Sequence, residues 1–357
     1  MFRKSLILLF VLVAPTTNSG DAQISSSAFT AKSSAPDGEL QFADLGRCAL
    51  ESGRVIDACR IGYRTFGTLN REHSNAILFP SWYNGTSNDL KQFFGPEQMV
   101  DTSRYFGIAL DAFGNGISSS PSNSSSQKGA DFPAFTIRDM VHAEYRVVTE
   151  VLHLQHVRAV MGVSMGGMQT FEWITTHPTF MDRAIAIAGT PQQTSYDLLN
   201  WDVLRMAIES DPAYNHGNYT KEPLLTLANE IGAMTAASPA FTVRTVPRSD
   251  ADSFLSRSKN PIVTLDANNR IWQLRAMMAH DVTHGQGTLA QVAGRTPVKV
   301  LIIVATNDHL VNPAPALEWA KAAHAETFIS TADCGHRIII CDGPRLTEDI
   351  RTFLAPP

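Results

Sequence analysis

Short, almost wholly apolar runs recur along the chain, at Asn75–Pro80, Tyr105–Leu110, Val157–Met161, Arg183–Ala188 and Val298–Val304. Such runs lack the polar alternation of a half-exposed strand and fit strands buried on both faces. Two opening strands, Leu45–Leu50 and Arg54–Phe66, flank a turn at Glu51-Ser52-Gly53-Arg54, and a short strand at Thr327–Ser330 closes the series. Between these runs the apolar spacing becomes helical, which predicts helices over Asp89–Met99, Ile137–Leu154, Met165–His177, Pro313–His324 and Pro344–Leu354. Asp111–Phe132 reads as loop, with a polar Ser/Asn/Gly stretch from Gly116 to Gly129. Strands alternating with helices predict an α/β fold: a mostly parallel sheet covered by helices on both faces.

The rhythm breaks between about residues 190 and 292. Helical pieces near Trp201–Glu209, Pro223–Ala233 and Arg270–His280 occur there without clear strands. This reads as a helical cap inserted between two sheet strands. It starts just past a strand's C-terminal end, the side on which open α/β sheets bind ligands.

The N-terminus has a different character. Arg3 and Lys4 precede an apolar stretch, Ser5–Ala14, and Gly20-Asp21-Ala22 offers the small residues of a cleavage site. The apolar stretch is too short to span a bilayer as a helix. Residues 1–22 are expected to be a cleaved signal peptide, 23–37 a disordered Ser/Ala-rich linker, and 38–357 the folded domain. The expected location is therefore periplasmic or extracellular, with no membrane span after cleavage. Hydrophobic content of 44% suffices for a large core, and a net charge of −5 gives no basic footprint for nucleic acid.

Cysteine usage agrees with export. Cys48 and Cys59 flank the first turn, and Cys334 and Cys341 bracket His336. In an oxidising compartment both pairs are expected as disulfides. No pair has the C-x-x-C spacing of zinc sites, so no metal is expected.

The candidate chemistry lies in Gly162-Val163-Ser164-Met165-Gly166. A serine in G-x-S-x-G, between a buried strand and a helix, stands exposed on a sharp turn, and the glycines let the backbone turn and the helix pack close. The N–H of Met165 then faces a developing oxyanion from a helix N-terminus. A serine hydroxyl needs a base, and the base an orienting acid. Asp308 follows the Val298–Val304 run and His336 follows Thr327–Ser330, which gives the order Ser, Asp, His of this elbow's fold. His336 is selected from eleven histidines. His142, His153, His156 and His177 fall in or beside helices on the sheet faces. His280 and His284 lie in the insert and could touch substrate, and His309 adjoins Asp308. Asp333 and Asp342 are the competing acids, better read as turn residues. The second oxyanion donor is expected from the loop after the third strand, as the N–H of Tyr83 or its neighbour Trp82.

The stretch Gly162-Val163-Ser164-Met165-Gly166-Gly167-Met168-Gln169-Thr170-Phe171-Glu172-Trp173 resembles the elbow of the homoserine O-acetyltransferase family, a group with the α/β-hydrolase fold. Thr136-Ile137-Arg138-Asp139-Met140-Val141, Asp101-Thr102-Ser103-Arg104-Tyr105-Phe106 and Leu265-Asp266-Ala267-Asn268 are similar to further segments of that family, and the resemblance runs from about residue 40 to the end. It implies ping-pong acyl transfer, in which Ser164 takes an acyl group from a thioester such as acetyl-CoA and passes it to an alcohol. It also implies that Arg205, in Leu204-Arg205-Met206-Ala207-Ile208, lines the pocket and meets a substrate carboxylate. Two positions depart from the family. Arg337 follows His336, where an acidic residue meets the homoserine amine, and Pro80-Ser81-Trp82-Tyr83-Asn84-Gly85 replaces a Cys-His-Ala-Leu-Thr-Gly type of turn.

Two activities are therefore expected. The first is a secreted serine hydrolase acting on a small ester with no bound cofactor. The second is an O-acyltransferase using acyl-CoA as donor and homoserine or a similar alcohol as acceptor. Oligomeric state is not encoded legibly.

Overall fold

The computed structural model describes residues 37–260 and 266–355. The expected signal peptide, nearly all of the expected linker and Leu265 of the family-like segment lie outside the described residues. The main sheet has eight strands: β1 (Gln41–Ala49), β2 (Val55–Phe66), β3 (Ala76–Pro80), β4 (Phe106–Leu110), β5 (Val157–Val163), β6 (Met181–Ile187), β7 (Lys299–Ala305) and β8 (Glu326–Ser330). Their order is β1-β2-β4-β3-β5-β6-β7-β8. The pairings β1/β2 and β2/β4 are antiparallel, and all later ones are parallel.

Alternation along the central strands feeds two cores. Val160, Ala184 and Ile302 face one, which also holds Phe171, Trp173 and Trp319. Ala159, Met161, Ile185 and Ile303 face the other, closed by Leu346, Ile350 and Phe353. Helices α1 (Ile137–Arg146), α2 (Met165–Thr176) and α8 (Ala314–Ala323) cover the first face, and α9 (Gly343–Leu354) covers the second. Burial on both faces is why these strands read as continuous apolar runs.

Between β6 and β7 the chain forms helices α3 (Ser195–Glu209), α4 (Thr226–Ala236), α5 (Pro239–Thr245), α6 (Ala251–Lys259) and α7 (Ala267–Met278). No strand of the main sheet occurs there among the described residues. None of the described helices is long and apolar enough to cross a membrane.

One expected element differs. Asp89–Met99 is not one helix: a turn of helix at Ser87–Leu90 and a tight turn at Lys91–Phe93 give way to Phe94–Gly95, which pairs in parallel with Val100–Asp101. Gly95-Pro96 stops the helix. Phe94 drops flat against Phe66, with ring centroids 4.3 Å apart, and Phe93 packs on Phe79. Burying both rings outweighs continuing an exposed helix.

Disulfides join Cys48 to Cys59 and Cys334 to Cys341, with Cα–Cα distances of 5.7 and 6.2 Å. Cys48 lies opposite Ile56, and Cys59 opposite Gly46, so the two cysteines are not direct cross-strand partners. The first bridge is thus diagonal across the hairpin.

A buried acid makes stability depend on pH. Glu144 of α1 is fully buried and accepts a hydrogen bond from Trp173 Nε1 at 2.9 Å. Burial raises its carboxyl from 4.5 to about 8. The fold therefore favours the protonated acid. That contribution is complete below about 4.5 and is lost as pH rises through about 8. Glu144→Gln keeps an acceptor for Trp173 and removes the titration. Its melting temperature is expected to exceed the wild type's above pH 8, by about 2–4 °C per kcal/mol recovered, and to vary less with pH. Parallel melting curves for the two proteins from pH 5 to 9 would exclude this role.

Candidate active site

Loops at the C-terminal ends of β5, β7 and β8 bring Ser164, Asp308 and His336 together. Ser164 follows β5 directly, and its N–H is held by Ile187 O at 2.8 Å. It adopts φ +57°, ψ −120°, a conformation costly for any residue with a Cβ. The surrounding glycines make the turn possible. A Cβ on Gly162 would lie 2.1 Å from Gly166 O, and one on Gly166 2.5 Å from Pro80 O.

His336 Nε2 lies 2.9 Å from Ser164 Oγ, and His336 Nδ1 lies 2.7 Å from Asp308 Oδ2. The other Asp308 oxygen accepts N–H bonds from Leu310 and Val311, each 2.9 Å. The carboxylate is thus fixed on both oxygens. His336 sits in a short turn, Gly335–Arg337, closed by the Cys334–Cys341 bridge. This series can draw the proton from the serine hydroxyl and hold the resulting imidazolium.

The N–H of Met165 opens α2. Opposite it, the loop after β3 presents Trp82 and Tyr83. Ser81 N–H is taken by Leu110 O, Asn84 N–H by Gln273 Oε1 and Gly85 N–H by Trp82 O. The N–H groups of Trp82 and Tyr83 have no acceptor among the described residues. Tyr83 lines the cavity over Ser164, whereas the Trp82 ring packs edge-on against Phe93. Two glutamines hold this loop, and neither was singled out as a candidate site residue from sequence. Gln169 Nε2 donates to Ser81 O at 3.0 Å and to Met165 O at 3.2 Å, tying the loop to α2. Gln273 of α7 receives the Asn84 N–H and donates to Phe113 O at 2.9 Å. Gln169 was within reach of sequence reading, because it lies in the quoted elbow segment.

The cavity over Ser164 has a volume of about 620 Å³ and is walled mainly by α3, α4, α6 and α7. Leu204, Leu225, Phe254, Leu274, Met277 and Leu310 make it apolar, and Arg257, Arg270 and Arg337 are its charged residues. Arg337 thus lines the pocket. Arg205 does not. It is held on α3 between Asp202 and Glu209, one turn away on either side, so its guanidinium is occupied by its own helix.

The competing groups lie elsewhere. His284 Nε2 is 3.0 Å from Glu172 Oε1, and the buried His280 faces the same carboxylate, so neither lines the cavity. Burial opposes ionisation of Glu172, but His284, His280 and Arg138 hold its carboxyl below the usual range. Asp333 is paired with Arg244, and Asp342 accepts a hydrogen bond from Ser330.

Residues 77–341 match the alpha/beta hydrolase fold family. The chain is 33% identical to an ethyl acetate hydrolase from Pseudomonas veronii over 300 residues, 80% of this chain and 85% of that protein. It is 28% identical to a homoserine O-acetyltransferase from Pelobacter propionicus over 345 residues, 85% of this chain and 93% of that protein. Among solved structures, an acetylester hydrolase from Corynebacterium glutamicum matches with a TM-score of 0.82 at 28% identity, covering 88% of this chain and 96% of the other.

Proposed function

The chain belongs to the α/β-hydrolase fold family, and from that premise we propose that it is an exported serine hydrolase that cleaves a small ester through an acyl-enzyme. An ester hydrolase or O-acyltransferase activity is common to its relatives. The observation that carries the narrower reading is the cavity wall. Among the described residues three arginines and no carboxylate line it, so the ammonium group of homoserine meets no counter-charge from them and encounters Arg337 beside the base.

In the proposed mechanism Ser164 Oγ attacks the acyl carbon while its proton passes to His336 Nε2. Asp308 fixes the imidazole tautomer and stabilises the imidazolium. The oxyanion receives the N–H groups of Met165 and Tyr83. Collapse breaks the acyl C–O bond, and His336 gives its proton to the leaving alkoxide. Water, deprotonated by His336, then attacks the acyl-serine, and the acid and free Ser164 are released. No bound cofactor or metal takes part in this scheme. Export is supported by the two disulfides and by the character of residues 1–22, both of which suit an oxidising compartment outside the cytoplasm.

The second reading, O-acyl transfer from acyl-CoA to homoserine or a similar alcohol, is favoured by the transferase relatives. Acyl partitioning separates the two. Given p-nitrophenyl acetate with and without L-homoserine, the mature protein is expected to release acetate at a rate that homoserine leaves unchanged. O-acetylhomoserine as the main product, identified by mass spectrometry, would establish the transferase instead.

A further inference from the structure

The cavity over Ser164 is apolar along most of its wall, yet among the described residues its charged lining residues are all cations. Arg270 is the informative one. It lies in the first turn of α7 and is 7% exposed. Leu274 and Met277 follow it by four and seven residues, and all three line the cavity from one helix face. A cation therefore stands where the pattern calls for an apolar side chain.

Its partners do not satisfy it. Nη1 donates to Asn229 Oδ1 at 2.8 Å, while Nε is buried without an acceptor. Among the described residues Nη2 has no protein partner and no carboxylate pairs with the guanidinium. The acids nearest in sequence and fold are engaged elsewhere. Glu222 Oε1 accepts the Ala267 N–H at 2.6 Å, and Asp266 accepts from Tyr219 Oη and the Asn269 N–H, each at 2.8 Å. Burial, and after it the neighbouring Asp266, raise the Glu222 carboxyl to about 7, while the positive charge of Arg270 pulls the other way; the two groups feel each other at a distance but form no ion pair. Arg257 and Arg337, both exposed, form no ion pair among the described residues and add to the positive potential at the cavity. A buried guanidinium short of acceptors costs free energy, which an arriving carboxylate recovers through charge-assisted hydrogen bonds.

We infer that the substrate is an ester carrying a carboxylate, in either its acyl or its alcohol portion, and that Arg270 receives this group. The inference rests on the ester-hydrolase reading above. Hydrolysis of a dicarboxylic half-ester adds water across the acyl C–O bond and yields a dicarboxylate, an alcohol and a proton. Hydrolysis of an acetylated hydroxy acid yields acetate, the hydroxy acid and a proton.

Two pairs of near-isosteric esters test it. Monoethyl succinate is compared with ethyl 4-methylpentanoate for a carboxylate on the acyl side, and β-acetoxypropanoate with 3-methylbutyl acetate for one on the alcohol side. In at least one pair the anionic ester is expected to have the higher kcat/KM, by about ten- to a hundredfold, the range for a hydrogen bond to a charged group. The pair showing the preference identifies the side. In Arg270→Met the anionic-to-neutral ratio should collapse toward one, and Arg270→Lys should restore most of it. Ratios at or below one in both pairs, or a ratio that survives Arg270→Met, would overturn the inference while leaving the hydrolase reading intact. No turnover of any of the four esters would overturn the hydrolase reading itself. A measurement on the wild type alone guards against a variant that does not fold. Free glutarate should inhibit neutral-ester hydrolysis competitively and its uncharged diamide should not, and absence of glutarate inhibition would also overturn the inference.

Discussion

Ser164→Ala is expected to lower kcat for small esters by about a millionfold, the scale on which loss of an activated serine nucleophile is felt. The size follows from the geometry. Ser164 Oγ is the atom that His336 Nε2 approaches to 2.9 Å, and the alanine methyl cannot bond covalently to the acyl group. What remains is the cavity and the oxyanion donors, which still favour attack by water about a thousand- to ten-thousandfold over the uncatalysed reaction. The fold should be unaffected, because alanine accepts the positive φ of this position at the same cost as serine. A direct readout accompanies the kinetics. Wild type quenched during turnover of p-nitrophenyl acetate should carry an acetyl group on Ser164 in intact-protein mass spectra, and the variant none. A folded variant that retained turnover within tenfold of wild type would remove Ser164 from the mechanism.

The parts of this site legible in sequence are those whose chemistry is tied to chain order. A glycine-flanked serine between a buried strand and a helix has one geometric meaning, and Asp308 and His336 each follow a strand of the same sheet. The parallel strands were equally legible, because burial on both faces leaves no polar alternation. What failed were inferences about which way a side chain on a helix faces. Arg205 was assigned to the pocket, although Asp202 and Glu209 stand three and four residues away, the spacing of a self-contained ion-pair cluster on an exposed helix face. Arg270 went unremarked, yet its register with Leu274 and Met277 is a charge interrupting an apolar stripe, which periodicity alone could have flagged. Helices α5 and α6 also went unread. They are short, have no fully buried side chain, and lack the periodic apolar face that marks a core helix. The helix expected over Asp89–Met99 yielded to Gly95-Pro96, a breaker visible in the sequence whose force came from two phenylalanines with better places to go.

Reacting groups and pocket walls come from different parts of the fold. The catalytic geometry is built from sheet-end loops, fixed by backbone hydrogen bonds such as those from Ser164, Leu310 and Val311. The walls come mainly from cap helices, with Arg337, the residue after the base, adding a further charge. Substitutions such as an arginine at 337 or 270 change charge around the substrate without disturbing the serine's reach to its base. Relatives that share 28–33% identity over most of the chain can therefore keep one fold and differ in activity, one an ethyl acetate hydrolase and another a homoserine O-acetyltransferase.

Asp308→Asn is the sharper test of that chemistry, because it changes almost nothing in shape. Both carboxylate oxygens act as acceptors: Oδ2 toward His336 Nδ1 at 2.7 Å, Oδ1 toward the N–H groups of Leu310 and Val311 at 2.9 Å. An asparagine can keep only one of these faces. Turning its NH₂ toward Leu310 and Val311 would set donor against two donors, so the carbonyl stays there and the NH₂ points at His336. Nδ1 must then accept, which puts the ring proton on Nε2. In that tautomer the ring donates to Ser164 Oγ and cannot take its proton. The expected loss is about ten-thousandfold in kcat at neutral pH, with KM changing far less, since Asp308 contributes nothing to the cavity wall. A loss below tenfold would mean that another carboxylate orients His336. The two that sequence offers, Asp333 and Asp342, are committed to Arg244 and Ser330, so that outcome would require the loop between β8 and α9 to rearrange, and crystallography of the variant would reveal it.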